Sequence, residues 1–204
     1  MVHVKDVLKS MDYGPAPEGN EHVVAWLDEH KAGFGHFIGG KAVNGASGRF
    51  GDIFDPNTGE VQAMVALAKH SEVEHAIANA QAAQPGWAAT NPQRRARVMF
   101  KFLELVQKEA DTLAKLLSSE HGKTVPDARG DIQRGIEVVE FACGIPHLLK
   151  GEFTEGAGPA IDLYSIRQPL GVVAGITPFN FPAMIPLLTF SPAIACGNPF
   201  ILQP

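Results

Sequence analysis

The stretch LGVVAGITPFNFPAMIPLLTFSPAIACGNPFILQP, Leu170 to Pro204, decides the fold. Its first part, LGVVAGI, has the continuous apolar character of a parallel strand buried on both faces. A helix is expected to begin near Pro182, and PFILQP reads as a second strand of the same kind. Strand, helix, strand at this spacing is a βαβ unit, which places the chain in the α/β class with a parallel sheet. A membrane span needs about 20 apolar residues and few helix breakers. Here Pro178, Pro182, Pro186, Pro192, Gly175 and Gly197 cut the run into pieces, so no membrane partner is expected.

Inside this apolar run a single amide, Asn180, stands between two phenylalanines, with Pro178 and Pro182 stiffening the chain on either side. The strand's C-terminal end is where open α/β sheets place ligands. An amide N–H in a dry site can stabilise a developing oxyanion by roughly 3–4 kcal/mol. Asn is also a preferred helix cap. The residues alone leave these two roles evenly open.

Upstream, HFIGGKAVNGASGRFGDIFDPNTGEVQAMVALA reads as three short strands with Gly-rich turns, Asp55 to Glu60 being the strongest turn signal. GHFIGGK nearly matches a phosphate-binding loop, but Ala42 replaces the hydroxyl residue and no helix follows; a hairpin with a Gly-Gly turn is expected. Ser71 and Glu74 form a capping box for a helix whose apolar positions are Val73, Ala76, Ile77, Ala80 and Ala83. Residues 90–120 read as one helix, capped by Asn91 with Pro92 in its first turn. Its buried stripe would be Val98, Phe102, Leu105, Val106, Leu113, Leu116 and Leu117. A third helix is expected from near Asp127 to Leu149, with Ile132, Ile136, Val139 and Cys143 inward. GEFTEGAGPAI reads as a loop, and 160–169 as a strand ended by Pro169. Residues 1–35 look like an appendage with a short amphipathic helix over EHVVAWLDEHK. Two parallel strands make a poor sheet, so the chain is expected to be the N-terminal piece of a longer protein.

The chemistry-bearing residues narrow the function. The net charge is −5 and no long Lys/Arg run occurs, which argues against nucleic acid as a partner. The eight histidines and two cysteines lack metal-ligand spacing, so no metal is expected. Cys143 and Cys196 fall on apolar faces and read as packing rather than as nucleophiles. Two distant cysteines and no secretory leader fit a reducing, cytoplasmic setting. Arg134 lies between Ile132 and Ile136 and could point inward, where a guanidinium needs an anion. Asp131 and Glu137, at i−3 and i+3, offer the plainer alternative of an intrahelical ion pair.

Several segments in order resemble the aldehyde dehydrogenase superfamily: FIGGK, DPNTGE, AAQPGWAATNPQRRARVMFKFLELV, SSEHGKTVPDARGDIQRGIEVVEFACG, GITPFNFP and ACGNPFILQP. PFNFPAMIPL and GDIQRGIEVVEFA most resemble its CoA-acylating methylmalonate-semialdehyde branch. The resemblance implies that residues 36–204 form the N-terminal part of an NAD-binding α/β domain, with 160–169 as a strand of a β extension for homo-oligomerisation. The chain would be truncated, with the catalytic domain absent. It implies oxidation of a small carboxylated aldehyde after attack on it by a cysteine thiolate lying beyond these residues. NAD would accept the hydride and coenzyme A the acyl group, with loss of carbon dioxide. By the same resemblance Asn180 matches the oxyanion donor, Arg134 the arginine that holds the substrate carboxylate, and Thr177 and Phe179 the nicotinamide side of the cofactor site. Gln203 stands where the family usually has a lysine for the adenosine ribose; it keeps hydrogen-bonding capacity and loses the charge. A non-acylating dehydrogenase for another carboxylated aldehyde, or a short non-catalytic partner of full-length subunits, remain the alternatives.

Overall fold

The computed structural model describes residues 33–204. The helix expected over EHVVAWLDEHK lies outside the described residues. Strands β1 (His36–Ile38) and β2 (Lys41–Val43) pair antiparallel. They are joined by Gly39 and Gly40 at φ 62° and 76°, the left-handed pair that a tight two-residue hairpin turn requires. GHFIGGK is therefore a hairpin and not a phosphate loop. Strands β3 (Phe50–Phe54) and β4 (Val61–Ala66) form a second antiparallel pair. Their turn is closed by Asp55, whose Oδ1 accepts the Asn57 N–H at 2.8 Å. The expected three strands are four, because the Gly-Gly turn folds the first segment back on itself.

Helix α1 (His70–Ala89) is not opened by Ser71 and Glu74. Lys69 holds the capping position, and the Glu72 carboxylate accepts the N–H groups of Lys69 at 2.9 Å and Ala46 at 2.7 Å. Glu74 pairs instead with His70, one turn back. Of the expected apolar stripe of α1 only Ala80 is buried; Val73, Ile77 and Ala83 are exposed. The far end of α1 is tied down by the Trp87 indole N–H, which donates to the Ile194 carbonyl at 2.9 Å.

The long helix expected over 90–120 is two: α2 (Pro92–Lys108) and α3 (Ala110–His121), broken at Glu109. Asn91 does cap α2, accepting the Gln93 N–H at 2.9 Å. The buried positions are Arg95, Ala96, Met99 and Val106 in α2, and, in the re-aimed second half, Ala114, Leu117, Ser118 and Ser119 of α3. Val98, Leu105 and Leu113, expected inside, are exposed. The third expected helix also divides at Gly144, into α4 (Val125–Cys143) and α5 (Ile145–Leu148). Here the expected inward face holds: Ile132, Ile136, Val139 and Cys143 are buried.

Residues read as a loop form β5 (Phe153–Gly158), which pairs antiparallel with β6 (Ile161–Tyr164). The decisive stretch folds as β7 (Val173–Ile176), α6 (Met184–Ala195) and β8 (Phe200–Gln203), and the two strands run parallel from Val173 opposite Phe200 to Ile176 opposite Gln203. This is the expected βαβ unit. The expected burial of β7 on both faces does not hold: Val173 and Gly175 are partly covered, whereas Ala174 and Ile176 are exposed, Ile176 at 84%. Among the described residues nothing covers that second face.

α4 carries the core. One end packs Val139, Ala142 and Cys143 with Met99, Ile145, Leu187 and Ala195; the other packs Ala128, Ile132 and Ile136 with Val106, Ala114 and Leu117. Between them α4 and α6 meet at Gly135, where a Cβ would lie 2.3 Å from Leu187 Cδ1. The glycine lets the two helices approach, and α6 in turn sets the end of β7.

Two outcomes follow for stability. Gly135→Ala forces this contact apart and should lower unfolding free energy by about 1–3 kcal/mol, read as a lower urea midpoint. The two N–H donors hold the Glu72 carboxyl below its ordinary value of 4.5. Its contribution is therefore present above that value and lost as pH falls through the folded pKa. Glu72→Gln should flatten the acid limb of the stability profile below about pH 4.5, measured by urea melts across pH.

Candidate active site at the end of the parallel pair

The ladder between β7 and β8 runs one residue past the strand: the Thr177 N–H donates to the Gln203 carbonyl at 3.1 Å. Thr177 is buried. The chain then turns outward through Pro178, Phe179 and Asn180 before α6 begins. Phe179 is 84% exposed, and Gln203 ends β8 on the same edge. Thr177, Phe179 and Gln203 thus share one rim of the parallel pair. Asn180 is exposed, and its amide makes no hydrogen bond among the described residues. It does not cap α6.

The cap comes from a neighbouring helix. Asp131 of α4 accepts the Met184 N–H through Oδ1 at 2.9 Å, satisfying a backbone donor in the first turn of α6. Its other oxygen lies 3.3 Å from Lys123 Nζ. Asp131 is 2% exposed, so this is a buried ion pair with a backbone hydrogen bond added. Lys123 Nζ also stands 4.5 Å over the ring centroid of Phe181, the residue after Asn180.

Arg134 neither points into the core nor forms the intrahelical ion pair. Its side chain is exposed, and its guanidinium carbon lies 5.9 Å from the same Phe181 ring. Asp131, one of its two expected partners, is committed to Lys123 and Met184. Among the described residues no carboxylate lies within ion-pair reach of Arg134. The turn therefore presents an exposed side-chain amide, next in the chain to an aromatic ring that a cation of α4 approaches.

The two thiols are not built as nucleophiles. Cys143 is buried in the core, and Cys196 packs against the same cluster. Burial pushes both thiols up, with Glu140 adding to the effect at Cys143 and Arg95 partly offsetting it at Cys196. Nucleophilic attack needs the thiolate, which burial disfavours.

Three residues that matter here were not singled out in the sequence for what they do. Asp131 was legible in principle: it sits in phase with Ala128, Ile132, Gly135 and Val139, so it belongs to the buried stripe of α4. Lys123 and Phe181 carried no such signal. A buried amide, Asn198, was also missed. Its Oδ1 accepts the N–H groups of Leu170 at 2.7 Å and Gly171 at 3.1 Å, and its Nδ2 donates to the Ala193 carbonyl at 3.1 Å. It fastens the entry of β7 to the loop before β8.

Comparison with known proteins agrees with this architecture. The family model described as the aldehyde dehydrogenase family matches residues 43–204. A malonate-semialdehyde dehydrogenase of Pseudomonas aeruginosa is 51% identical over 169 residues, covering 83% of this chain and 34% of that protein. The human mitochondrial methylmalonate-semialdehyde/malonate-semialdehyde dehydrogenase [acylating] is 46% identical over 168 residues, covering 82% of this chain and 31% of its own length. Among solved structures, a protein of Sinorhizobium meliloti 1021 assigned as a methylmalonate-semialdehyde dehydrogenase and complexed with NAD is 65% identical, with a TM-score of 0.82 over 84% of this chain and 35% of that one. The chain thus spans about a third of the length of these relatives. A parallel pair whose rim carries the ITPFNFP turn, matched over four-fifths of the chain by these proteins, belongs to the aldehyde dehydrogenase family.

Proposed function

We propose that these residues supply the oxyanion donor, the substrate cation and part of the cofactor rim of an NAD-dependent, CoA-acylating semialdehyde dehydrogenase acting on malonate or methylmalonate semialdehyde. The observation that carries the reading is an unbonded amide, Asn180, one residue before Phe181, and an Arg134 that lies 5.9 Å from the Phe181 ring with no carboxylate partner among the described residues. A carboxylated aldehyde meets both needs at once. Its carboxylate gives the guanidinium a charge-assisted partner. Its carbonyl oxygen is left to the amide, which favours the transition state because negative charge grows there. The names of the relatives point to the same substrate class.

The rim is suited to a nicotinamide cofactor. Phe179 offers an exposed apolar face, Thr177 a hydroxyl at the strand end, and Gln203 an amide able to bond hydroxyls. NAD, when bound, supplies the acceptor for the aldehyde hydride. What these residues do is hold the rim open, orient the carboxylate through Arg134 and donate the Asn180 N–H to the oxyanion. The attacking thiolate comes from outside these residues in this reading, since Cys143 is buried, Cys196 is half-buried, and burial pushes both thiols up. The 204 residues alone are then inactive. Transfer of the acyl group to coenzyme A, loss of carbon dioxide, a cytoplasmic setting and homo-oligomerisation through β5 and β6 complete the proposal. The division of the chain at residue 36, with 160–169 serving assembly, is part of it. Strands β5 and β6 fit that role because their side chains are almost all exposed, Phe153 and Tyr164 included.

The test is NADH formation from malonate semialdehyde by the full product of the coding region, with and without coenzyme A; a rate indifferent to CoA would sink the acylating assignment. In that protein Asn180→Ala should lower kcat about 100-fold or more. Arg134→Gln should raise KM for malonate semialdehyde about 10-fold or more, by loss of a charged hydrogen bond, and leave propanal unaffected. An equal loss on both aldehydes would return Arg134 to a structural role. Cys143→Ala and Cys196→Ala should each keep kcat; loss of turnover in a folded Cys→Ala variant would reopen the question of the nucleophile.

A further inference from the structure

Asn180 has no hydrogen bond of its own among the described residues, so its place is set by its chain neighbours. Upstream the anchor is Thr177, bonded to Gln203 at the end of the ladder. Downstream there are two holds, and both come from the same buried pair. Lys123 presses on the Phe181 ring at 4.5 Å, and Asp131 fixes the Met184 N–H at 2.9 Å. Between the anchors lie Pro178, Phe179 and Asn180, with Pro182 further limiting the backbone. A short, stiff segment gripped at both ends transmits any shift at one end to the amide.

We propose that Asp131 and Lys123 are positioning residues for the chemistry: they set the Asn180 amide where the oxyanion forms, without touching substrate. The inference rests on the oxyanion reading of Asn180. Asp131 is suited to the task because it stands on the buried face of α4, in phase with Ile132 and Gly135, and so shares the rigidity of the core. Lys123, from the short connection between α3 and α4, is held by Asp131 at 3.3 Å with its side chain 7% exposed, so it has a fixed place from which to bear on Phe181. A donor misplaced by about 1 Å can cost roughly 100-fold in rate.

The experiment is a double-mutant cycle in the full-length dehydrogenase, with kcat and KM measured separately. Asp131→Asn keeps an oxygen for the Met184 N–H and removes the charge that holds Lys123. Asp127, on the exposed side at 3.9 Å, then remains as the only carboxylate within ion-pair distance of Lys123 among the described residues and draws it away from Phe181. The substitution should lower kcat about tenfold with KM for the aldehyde little changed, because the lost interaction acts in the transition state. Combined with Asn180→Ala it should cost nothing further, since residues acting as one unit are not additive. A merely structural role would lower thermal stability and multiply the two rate effects. If Asp131→Asn does not fold, Lys123→Met, which leaves Met184 capped and the stem over Phe181, carries the same cycle. A slow Asn180→Ala with either positioning variant at full kcat overturns the proposal, as does a multiplicative double mutant. Full kcat in Asn180→Ala is a different failure: it removes the oxyanion reading itself, and the positioning role with it.

Discussion

A carboxylate sealed from water has to be paired, and the way Asp131 is paired fixes its surroundings. One oxygen takes the first-turn N–H of α6 and the other takes Lys123, so a helix start and a basic side chain are committed to one point on α4. Burying two charges is costly unless geometry and extra hydrogen bonds recover the loss. Here the recovery requires α6 to begin at Met184 and Lys123 to lie inward. The turn carrying Asn180 is what remains between that constraint and the end of β7. Gly135 eases the arrangement, since a Cβ there would force the Leu187 side chain between α4 and α6 to move.

A second buried charge works differently. Arg95 of α2 is 4% exposed and meets carbonyls rather than a carboxylate: those of Ala195 at 3.0 Å, Ala88 at 3.3 Å, and Thr90. Burial draws its pKa down. The carbonyls come from the ends of α1 and α6, where helices carry partial negative charge and unsatisfied acceptors. The guanidinium fork thus gathers two helix ends, while Asp131 holds the opposite end of α6. The helix that sets the candidate site is clamped at both ends by charges from the two helices beneath it.

Much of this was legible in the residues, and unevenly so. The βαβ unit was readable because Leu170 to Pro204 combines long apolar runs with prolines at the joints, and both are local signals. Asn91 and Pro92 announced the start of α2 for the same reason. Boundaries set by tertiary contact were not readable. Ser71 and Glu74 form a plausible box, yet Glu72 captures the helix start because Ala46, distant in sequence, supplies a second donor. The break at Glu109 is invisible in a continuous helical period, and it turned Leu113 outward; Leu105, upstream of it, is exposed because the buried stripe of α2 runs through Met99 and Val106. Arg134 shows the limit most clearly. Its spacing suggested either the core or an ion pair with Asp131, but Asp131 had a stronger claim from Lys123 and α6, leaving the arginine beside Phe181.

The parallel pair has one further consequence. β7 and β8 bond only to each other among the described residues, so each has an outer edge of unpaired backbone groups. Next to those edges lie Leu170, Ile176 and Phe179, all strongly exposed. An uncovered strand edge flanked by apolar side chains is a template for another strand. Left unpaired, edges of this kind favour contact between copies of a chain, more so as concentration rises. The same edges accept either a strand that widens the sheet or a neighbouring copy, and the two compete for one set of backbone donors and acceptors.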